Sequence, residues 1–553
     1  MDIGEALISA LQEKNVDRVY VVAGDYVLNF LKRIEESPIE LICMAGEEGA
    51  GFAADAHARL HGFAAVVVTY GVGALKLLNP IAGAFAERSP VLVISGAPGV
   101  RESHDHELLH HKIKATDTQQ RFFDEICAES ARLDSARTAA GSIAKVIAAM
   151  ERESRPGYLE LPRDCMTRTL PWPLKLISPH QEKGDYPLHH RDICEQLLQW
   201  MRTRKRPIVL AGLELHRYGL QSNLAALLER EGWPFVTTLS AKTLLSERHP
   251  NYLGIYEGAM SSETVTSAIE NSDGVLQIGA PLSDLDSGIF TANLNPSTTI
   301  TVEMEQGTIS PEGIEDALDP RQLLEIFLEL GPPPQSKPIA ERLSQLNSST
   351  EQPSFTPRNN EPIKLMRLIA ALRTSLQNDS ILLADPGDAL FSSALDLRLP
   401  NQGSFLTSGY WASLGFAVPA AVGAWGAKPS LRPVVISGDG SFLMSVLELA
   451  TMVRYGIPAF VIVLDNKGYG TERPILDGCF NDIAPVNHEV LARAYGFVDT
   501  ARVETEEQLW SALTRLQREH SGPTLMSVDL QPDDRSTALT RLTQSLSQRV
   551  KVT

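Results

Sequence analysis

Short apolar runs alternate with segments of helical periodicity along most of this chain, and that alternation limits the folds open to it. Residues 18–22, 64–69 and 91–95 are apolar runs, and residues 48–60 and 77–87 have helical periodicity. The alternation is typical of βαβ units, in which parallel strands form a sheet covered by helices. We therefore expect an α/β fold built from doubly wound parallel sheets.

The alternation stops in two proline-rich segments, residues 170–190 and 331–362, which we interpret as linkers. A chain of 553 residues with 43% hydrophobic residues is too long for a single core and has enough apolar material for about three domains. The predicted α/β domains are residues 1–175, 188–335 and 360–553.

Composition and charge exclude several classes of partner. A net charge of −18 repels nucleic acid and anionic membrane surfaces. The amino-terminal segment lacks the basic and apolar regions of an export signal, and no uncharged apolar run reaches the roughly twenty residues of a spanning helix. We therefore expect a cytoplasmic protein without nucleic-acid or membrane partners. Scattered cysteines without metal-ligand spacing are interpreted as free thiols, namely Cys43, Cys127, Cys165, Cys194 and Cys479.

Residues 433–472 form the most informative segment, with the pattern strand, glycine turn, helix, strand and turn. The carboxyl ends of neighbouring parallel strands lie at one edge of a sheet, so Asp439 after the first strand and Asn466 after the second are expected to meet. A carboxylate, an amide oxygen and the Gly468 carbonyl are hard oxygen ligands of the kind that Mg²⁺ prefers. The segment therefore predicts a magnesium site.

The same turn is suited to a diphosphate. Gly438 and Gly440 allow backbone N–H groups to approach a phosphate, and a helix predicted to begin near Ser441 directs its positive end to the same place. A Gly-Asp-Gly sequence by itself favours an ordinary turn. The strand that follows about thirty residues later and ends in Asp465-Asn466 favours the diphosphate interpretation.

A glycine turn followed by such a strand resembles the thiamine diphosphate motif, which runs from GDG to NN, although Asp465 stands in place of the first Asn. The segment AGEEGAGFAADAHARLHG is similar to the NELNAxYAADGYAR segment of the same enzymes, and the alignment places their essential glutamate at Glu47. This carboxyl activates the cofactor through the aminopyrimidine ring. Without the resemblance, Glu47 and Glu48 would be interpreted as acids that complement a helix dipole.

The whole chain resembles the pyruvate, indolepyruvate and phenylpyruvate decarboxylase group of thiamine enzymes. The resemblance implies thiamine diphosphate and Mg²⁺ as cofactors, pyrimidine-binding, central and diphosphate-binding domains, and a homodimer or homotetramer with sites shared between chains. It further implies non-oxidative decarboxylation of a 2-oxo acid to an aldehyde and CO₂, with an aromatic or long-chain substrate favoured over pyruvate.

The resemblance also assigns roles to individual residues. It implies that Asp25 in the turn AGD, the pair His110-His111 and Glu472 in NKGYGTE manage proton transfer. Thr471 lies in the substrate pocket, where a smaller side chain admits longer substrates. The implied cofactor contacts beyond the glycine turn are Thr69, Asp388, Ala412, Leu414 and Tyr469. Adjacent histidines are also compatible with an ordinary partly buried pair, and a second pair, His189-His190, lies in the first predicted linker.

Other interpretations are compatible with parts of this pattern. A carboligase related to acetolactate synthase would use the same cofactor, although the histidine pair and Glu472 disfavour it. A catalytically silent scaffold of the same fold would not need Glu47 or the metal ligands, and the chain has them. Both halves of the site could also come from one chain. The central domain has no GxGxxG fingerprint, which disfavours a flavin there.

Overall fold

The structure is a computed structural model in which three mostly parallel sheets are each covered by helices. Parts of both predicted linkers, residues 177–185 and 333–353, lie outside the described residues, and the exact domain boundaries stay predictions. Of the helices in the described part of the chain, none combines the length and apolar content needed to cross a bilayer. The described residues are 1–104, 108–176, 186–332, 354–518 and 521–550.

The first domain has a six-stranded, fully parallel sheet with the strand order β2-β1-β3-β4-β6-β5. Its strands are β1 (Arg18–Val21), β2 (Glu40–Cys43), β3 (Ala64–Val68), β4 (Val91–Ala97), β5 (Glu129–Arg132) and β6 (Gly157–Pro162). Its helices are α1 (Ile3–Glu13), α2 (Leu28–Glu35), α3 (Glu47–His61), α4 (Val72–Lys76), α5 (Leu78–Ala86), α6 (Val100–His104), α7 (Thr118–Asp124) and α8 (Ala136–Glu153).

Strand β3 shows why helices cover both faces of this sheet. All five of its residues are buried, and they alternate between two separate cores. Ala64, Val66 and Val68 belong to one core, whereas Ala65 and Val67 belong to the other. Successive side chains of a strand point to opposite faces, so a continuous apolar run needs cover on both sides.

The central domain has a seven-stranded sheet with the order β13-β12-β11-β10-β7-β8-β9, in which β12 and β13 form an antiparallel edge. Its strands are β7 (Pro207–Ala211), β8 (Phe235–Thr237), β9 (Tyr252–Ile255), β10 (Gly274–Ile278), β11 (Thr299–Glu303), β12 (Gly307–Ile309) and β13 (Glu315–Asp316). Its helices are α9 (Leu188–Arg202), α10 (Leu213–Arg217), α11 (Gln221–Glu231), α12 (Glu263–Glu270) and α13 (Pro320–Glu329). The placement of His189 and His190 in a linker was wrong, because both lie in the first turn of α9.

The third domain has a six-stranded, fully parallel sheet with the order β15-β14-β16-β17-β19-β18. Its strands are β14 (Ser380–Ala384), β15 (Phe405–Thr407), β16 (Arg432–Gly438), β17 (Phe460–Asp465), β18 (Asp499–Val503) and β19 (Thr524–Asp529). Its helices are α14 (Leu365–Ser375), α15 (Asp388–Asp396), α16 (Ala417–Ala427), α17 (Asp439–Ser445), α18 (Leu449–Arg454), α19 (His488–Tyr495), α20 (Glu506–Leu516) and α21 (Thr537–Val550). Helix α17 begins at Asp439, two residues earlier than the predicted start at Ser441.

The first and third domains share a single hydrophobic core. It includes Val66 and Val93 from the first sheet and Val435 and Val461 from the third. Helices α3 and α16 pack against each other at its centre, so closely that a Cβ atom at Gly423 would collide with the backbone of Ala53. The two domains therefore form one packed body within the chain.

Candidate active site

The predicted site residues of the third domain follow the carboxyl ends of neighbouring strands. Asp388 follows β14, Leu414 follows β15, Asp439 follows β16 and Asn466 follows β17. Strands β14 and β16 are adjacent, and the chain continues from them to opposite sides of the sheet. This is the switch point at which open α/β sheets bind their ligands.

A cavity of about 490 Å³ lies at this edge. Side chains from the central domain and the carboxyl-terminal segment complete its wall, including Leu285, Arg535 and Leu539. All predicted site residues of the third domain line it, namely Asp388, Ala412, Leu414, Gly438, Asp439, Gly440, Ser441, Asn466, Gly468, Tyr469, Thr471 and Glu472.

Asp439 is the most buried acid of the cavity, with 1% of its surface exposed. Its carboxylate accepts backbone N–H groups from Gly440 at 2.8 Å, Lys467 at 2.6 Å and Gly468 at 3.2 Å. Burial raises the pKa of this carboxyl to about 6, because removal from water disfavours the charged form. The hydrogen bonds oppose that shift and hold the carboxylate in one orientation.

Three oxygen atoms converge at this turn: Oδ1 of Asp439, the side-chain oxygen of Asn466 and the carbonyl oxygen of Gly468. The side-chain oxygen of Asn466 faces only acceptors, at 2.8 Å from the Gly468 carbonyl oxygen and 3.2 Å from Oδ1 of Asp439. An amide rotated by 180° would relieve these contacts by hydrogen bonding. A bound cation would relieve them equally, since neighbouring ligands in an octahedral Mg²⁺ site lie about 3 Å apart. The donor set therefore fits the predicted ligands Asp439, Asn466 and Gly468.

The two glycines of the turn differ in what surrounds them. A Cβ atom at Gly438 would meet nothing within 4 Å, so this position opens into the cavity. A Cβ atom at Gly440 would lie 2.7 Å from Cε1 of Tyr469. Gly440 is thus required for close packing of the Tyr469 ring, a reason that the sequence did not indicate. Gly438 leaves room for a ligand beside the turn.

Asp465 takes the place of an amide in the motif, and its surroundings explain why a carboxylate is tolerated there. It is buried, and its carboxylate pairs with Lys467 at 2.8 Å and with Arg502 at 3.4 Å. Two cations compensate the charge, so Asp465 is stabilised by ion pairs outside the three-oxygen cluster.

Glu47 is the first residue of α3 and is buried, with 8% exposure. Its carboxylate pairs with Nζ of Lys76 at 3.0 Å, and it lines a cleft of about 760 Å³ together with Leu414 and Glu448. Glu48 is exposed and accepts a hydrogen bond from Asn79 at 2.8 Å. Leu414 lines both this cleft and the Asp439 cavity, so it lies between the two groups of predicted site residues.

Glu448 is a residue that the sequence pattern did not single out. Its carboxylate accepts the backbone N–H groups of Ala45 at 3.2 Å and Gly46 at 3.0 Å, directly before Glu47. Thr451 donates a further hydrogen bond at 2.6 Å. Because Gly46 has no side chain to cap α3, an acid from the third domain satisfies these amides.

Asp25, His110 and His111 form a separate cluster on the first domain. Nε2 of His110 lies 2.9 Å from Oδ2 of Asp25, and the two imidazole rings are 4.6 Å apart. The backbone of His111 has a φ of 66° and packs directly against Gly71. The structure brings the three predicted residues together, but they are not among the described residues that line either cavity.

Thr69 and Glu472 complete the predicted set. The Thr69 hydroxyl is buried and has no hydrogen-bond partner in the described part of the chain, and Gly73 lies close to both Thr69 and Glu47. Such an unsatisfied buried hydroxyl is suited to a ligand. Glu472 is exposed at the mouth of the Asp439 cavity.

Asp388 contacts the carboxyl-terminal segment rather than a positively charged group. Its carboxylate accepts hydrogen bonds from the backbone N–H of Ser536, at 2.8 Å, and from the Ser536 hydroxyl. Burial raises the pKa of Asp388 to about 6. Asp388 thus ties the segment that leads into α21 to the wall of the cavity.

Glu87 of the first domain organises the segment that carries Ala412 and Leu414. Its Oε1 atom accepts the backbone N–H groups of Tyr410 at 3.1 Å and Trp411 at 3.0 Å. Ala412 follows with a φ of 54°, which is unusual for a residue with a side chain. Only tertiary packing identifies Glu87, since the surrounding sequence contains no motif for it.

Family models of known proteins match segments in all three domains of this chain. The family model described as the thiamine pyrophosphate enzyme, N-terminal TPP binding domain, matches residues 1–122. The corresponding central-domain and C-terminal TPP-binding-domain models match residues 194–315 and 385–528.

Curated relatives align with most of the chain. An alignment of 524 residues, 93% of each protein, shows 33% identity to the indole-3-pyruvate decarboxylase of Azospirillum brasilense. A second alignment of 481 residues, 86% of this chain and 82% of the relative, shows 34% identity to the alpha-keto-acid decarboxylase of Mycobacterium leprae (strain TN). The alpha-keto-acid decarboxylase of Mycolicibacterium paratuberculosis (strain ATCC BAA-968 / K-10) is 32% identical over 540 residues, 96% of this chain and 93% of the relative.

Proposed function

Because this chain belongs to the thiamine pyrophosphate enzyme family, we propose that it decarboxylates a 2-oxo acid without oxidation and releases an aldehyde and CO₂. The main support is the convergence of Asp439, Asn466 and the Gly468 carbonyl beside the open position at Gly438. Relatives named as decarboxylases of indole-3-pyruvate and alpha-keto acids favour this reaction over carboligation.

Asp439, Asn466 and Gly468 would hold Mg²⁺, and the turn at Gly438 would bind the diphosphate of thiamine diphosphate. When bound, the cofactor supplies an electron sink for the bond that breaks as CO₂ leaves. Leu414 would support it between the two cavities, and Ala412 would offer its carbonyl oxygen as a hydrogen-bond acceptor. The unsatisfied Thr69 hydroxyl would donate to or accept from the same ligand.

Glu47 would hold a proton at its carboxyl group against the pyrimidine end of the cofactor. The burial of its carboxyl side chain suits this role, because a hydrogen bond to a carboxyl is stronger at low local dielectric. Asp25, His110, His111 and Glu472 would move protons at the substrate. The short contact between Asp25 and His110 provides a path between a carboxylate and an imidazole.

The wall of the Asp439 cavity supports a substrate larger than pyruvate. Leu285, Ile475 and Leu539 contribute apolar surface, and Thr471 is a small residue at the pocket position. Apolar walls with a few placed polar groups favour an aromatic or long aliphatic side chain on the substrate.

Two chains would complete each site. Within one chain, the cluster of Asp25, His110 and His111 is not among the described residues that line the cavity containing Asp439 and Glu472. Met444 and Leu447, at the rim of the Glu47 cleft, are 53% and 59% exposed, and exposed apolar side chains of this kind mark contact surfaces. A two-fold dimer, or a tetramer of two dimers, would cover them.

A binding experiment tests the cofactor site. Asp439→Ala should abolish Mg²⁺-dependent binding of thiamine diphosphate in a calorimetric titration, because it removes the only carboxylate among the three converging oxygens. Asp192→Ala, which alters an exposed acid on α9, is the control and should bind normally. Unchanged cofactor affinity in Asp439→Ala would refute the metal assignment.

A mixing experiment tests the shared site. Glu47→Gln and Asp439→Ala are each expected to be inactive, but a mixed dimer would contain one intact site and one site with both changes. After subunit exchange, about half of the dimers should therefore regain one active site. If mass measurement confirms mixed dimers and no aldehyde is released, both halves of each site come from one chain.

A further inference from the structure

Two adjacent histidines and an aspartate meet in the central domain, away from the residues assigned to catalysis. His189 and His190 lie in the first turn of α9, and Asp316 is the last residue of β13, the strand at the edge of the central sheet. Nε2 of His189 is 3.3 Å from Oδ2 of Asp316, and Nε2 of His190 is 2.9 Å from Oδ1. One ligand atom from each side chain lies within 4.8 Å of the other two, so the three can bind a single ion.

His190 occupies a position where α9 otherwise buries apolar side chains. It is 5% exposed and begins the buried face of the helix, which continues with Cys194, Leu197 and Met201. Its Nδ1 atom is buried and has no hydrogen-bond partner among the described residues. An apolar side chain would fill the same space without an unsatisfied polar atom. The contact of Nε2 with Asp316 is the feature that an apolar residue could not provide.

Asp316 is held in place and lacks a permanent cation. Its Oδ1 atom also accepts the backbone N–H of Leu318 at 3.0 Å, which orients the carboxylate. In the described part of the chain, its salt-bridge partners are the two histidines, and no Lys or Arg lies within that distance. A histidine compensates a carboxylate only when it is protonated, whereas a bound divalent ion compensates it while both rings are neutral.

The donor set and its spacing select the kind of ion. Two imidazole nitrogens and a carboxylate suit Zn²⁺, whereas Mg²⁺ and Ca²⁺ prefer oxygen ligands. Ligands about 2.1 Å from a tetrahedral Zn²⁺ are about 3.4 Å apart. The 3.3 Å separation at His189 fits this value, and the 2.9 Å separation at His190 would widen by about 0.5 Å. The His189 side chain is 61% exposed, which leaves a fourth position open to water.

We propose that His189, His190 and Asp316 bind Zn²⁺ and that the ion joins the start of α9 to the edge strand β13. Strand β13 contains two residues and has β12 as its neighbour in the sheet. The first turn of α9 has no side-chain cap. Each element therefore has little local support, and coordination between them would stabilise this edge of the central domain. The proposal does not rest on the proposed decarboxylation.

Metal content tests the assignment on the holoenzyme, prepared without a polyhistidine tag and kept in excess Mg²⁺ and thiamine diphosphate. After equilibration with Zn²⁺ and gel filtration, elemental mass spectrometry should find about one more Zn²⁺ per chain in the wild type than in Asp316→Asn or His189→Gln. Asparagine keeps an acceptor for Leu318, and His189 is exposed, so the two variants do not share one risk of misfolding. Glu195→Gln, which alters an exposed acid on the same helix, should retain the ion.

The cluster of Asp25, His110 and His111 contains the same three side-chain types and is the alternative site for the ion. Asp25→Asn should retain the Zn²⁺ that Asp316→Asn loses. Equal zinc content in the wild type, Asp316→Asn and His189→Gln would overturn the proposal. Loss of the ion in Asp25→Asn alone would overturn it as well, because the ion would then belong to the first domain.

Hydrogen–deuterium exchange tests whether the ion joins the two elements. At a free Zn²⁺ concentration about ten times the dissociation constant, an opening that releases the ion becomes about tenfold rarer. The amides of His190 and Leu318, which donate to the Pro187 carbonyl oxygen and to Asp316, should then exchange about tenfold more slowly in the wild type. Zn²⁺ should leave the exchange of Asp316→Asn unchanged. Equal exchange with and without Zn²⁺ in the wild type would overturn the linking role.

Discussion

Removal of the Glu448 carboxylate should loosen the start of α3 and with it the position of Glu47. In Glu448→Ala, the backbone N–H groups of Ala45 and Gly46 lose their acceptor. An unsatisfied buried donor costs about 1–3 kcal/mol, and the lower value applies here because the neighbouring cleft admits water. The total of about 2 kcal/mol corresponds to a roughly 30-fold larger population of the locally open state.

Hydrogen–deuterium exchange measures this change where it occurs, which a global unfolding curve of a three-domain protein does not. The amides of residues 45 and 46 should exchange roughly 30-fold faster in Glu448→Ala, with turnover reduced in parallel. Glu448→Gln should have a smaller effect than Glu448→Ala, since its amide oxygen still accepts from one of the two N–H groups and only its NH₂ group faces the other donor. Glu48→Gln is the control, because Glu48 lies in the same turn and is exposed. Exchange within twofold of the wild type in Glu448→Ala would refute the reasoning.

Three other outcomes are expected. Glu47→Gln should keep its circular dichroism spectrum and lose most aldehyde release, whereas Glu48→Gln stays active; the reverse would move the essential carboxyl by one residue. Gly440→Ala places a methyl group 2.7 Å from the Tyr469 ring and should weaken cofactor binding roughly tenfold in calorimetry, so unchanged affinity would contradict it. Burial raises the pKa of Glu214 to about 7, so the folded state holds that proton more tightly than the unfolded chain. The melting temperature of the wild type should therefore fall more steeply than that of Glu214→Gln as pH rises from about 4.5 to 7. Equal slopes in the two proteins would contradict the raised pKa of Glu214.

Buried parallel strands were predictable from the sequence because both of their faces are apolar. The run at residues 274–278 coincides with β10, and the run at residues 64–69 differs from β3 by one residue. The antiparallel edge formed by β12 and β13 gave no comparable signal, since those strands are short and partly exposed. Edge strands need fewer apolar residues than central ones.

The pair His189-His190 shows where local sequence is insufficient. Its polar and proline-rich surroundings favoured a linker, but α9 begins at Leu188. Both imidazoles contact Asp316 on β13, with Nε2 of His190 at 2.9 Å from Oδ1. This partner is more than a hundred residues away in the chain, so no local pattern predicts the contact.

The candidate site likewise contains residues that local sequence predicts and residues that depend on distant contacts. Asp439 and Asn466 were predictable because the ends of parallel strands meet at one sheet edge. Glu87 and Glu448 were not, because each acts across the contact between the first and third domains. The Asp25 cluster was predicted from resemblance, and within this chain its residues are not among the described residues that line the cavity containing Asp439 and Glu472.

The core shared by the first and third domains has a consequence for the way the protein is made. One face of the first sheet, which includes Tyr158, belongs to a core that is completed by residues as late in the chain as Leu525 of the third sheet. A ribosome that adds roughly 5–20 residues per second needs about 20–70 s to synthesise the roughly 370 residues between them. During that interval the apolar face of the nascent first domain lacks its final cover. The newly made amino-terminal half is therefore expected to depend on chaperones until the carboxyl-terminal half emerges.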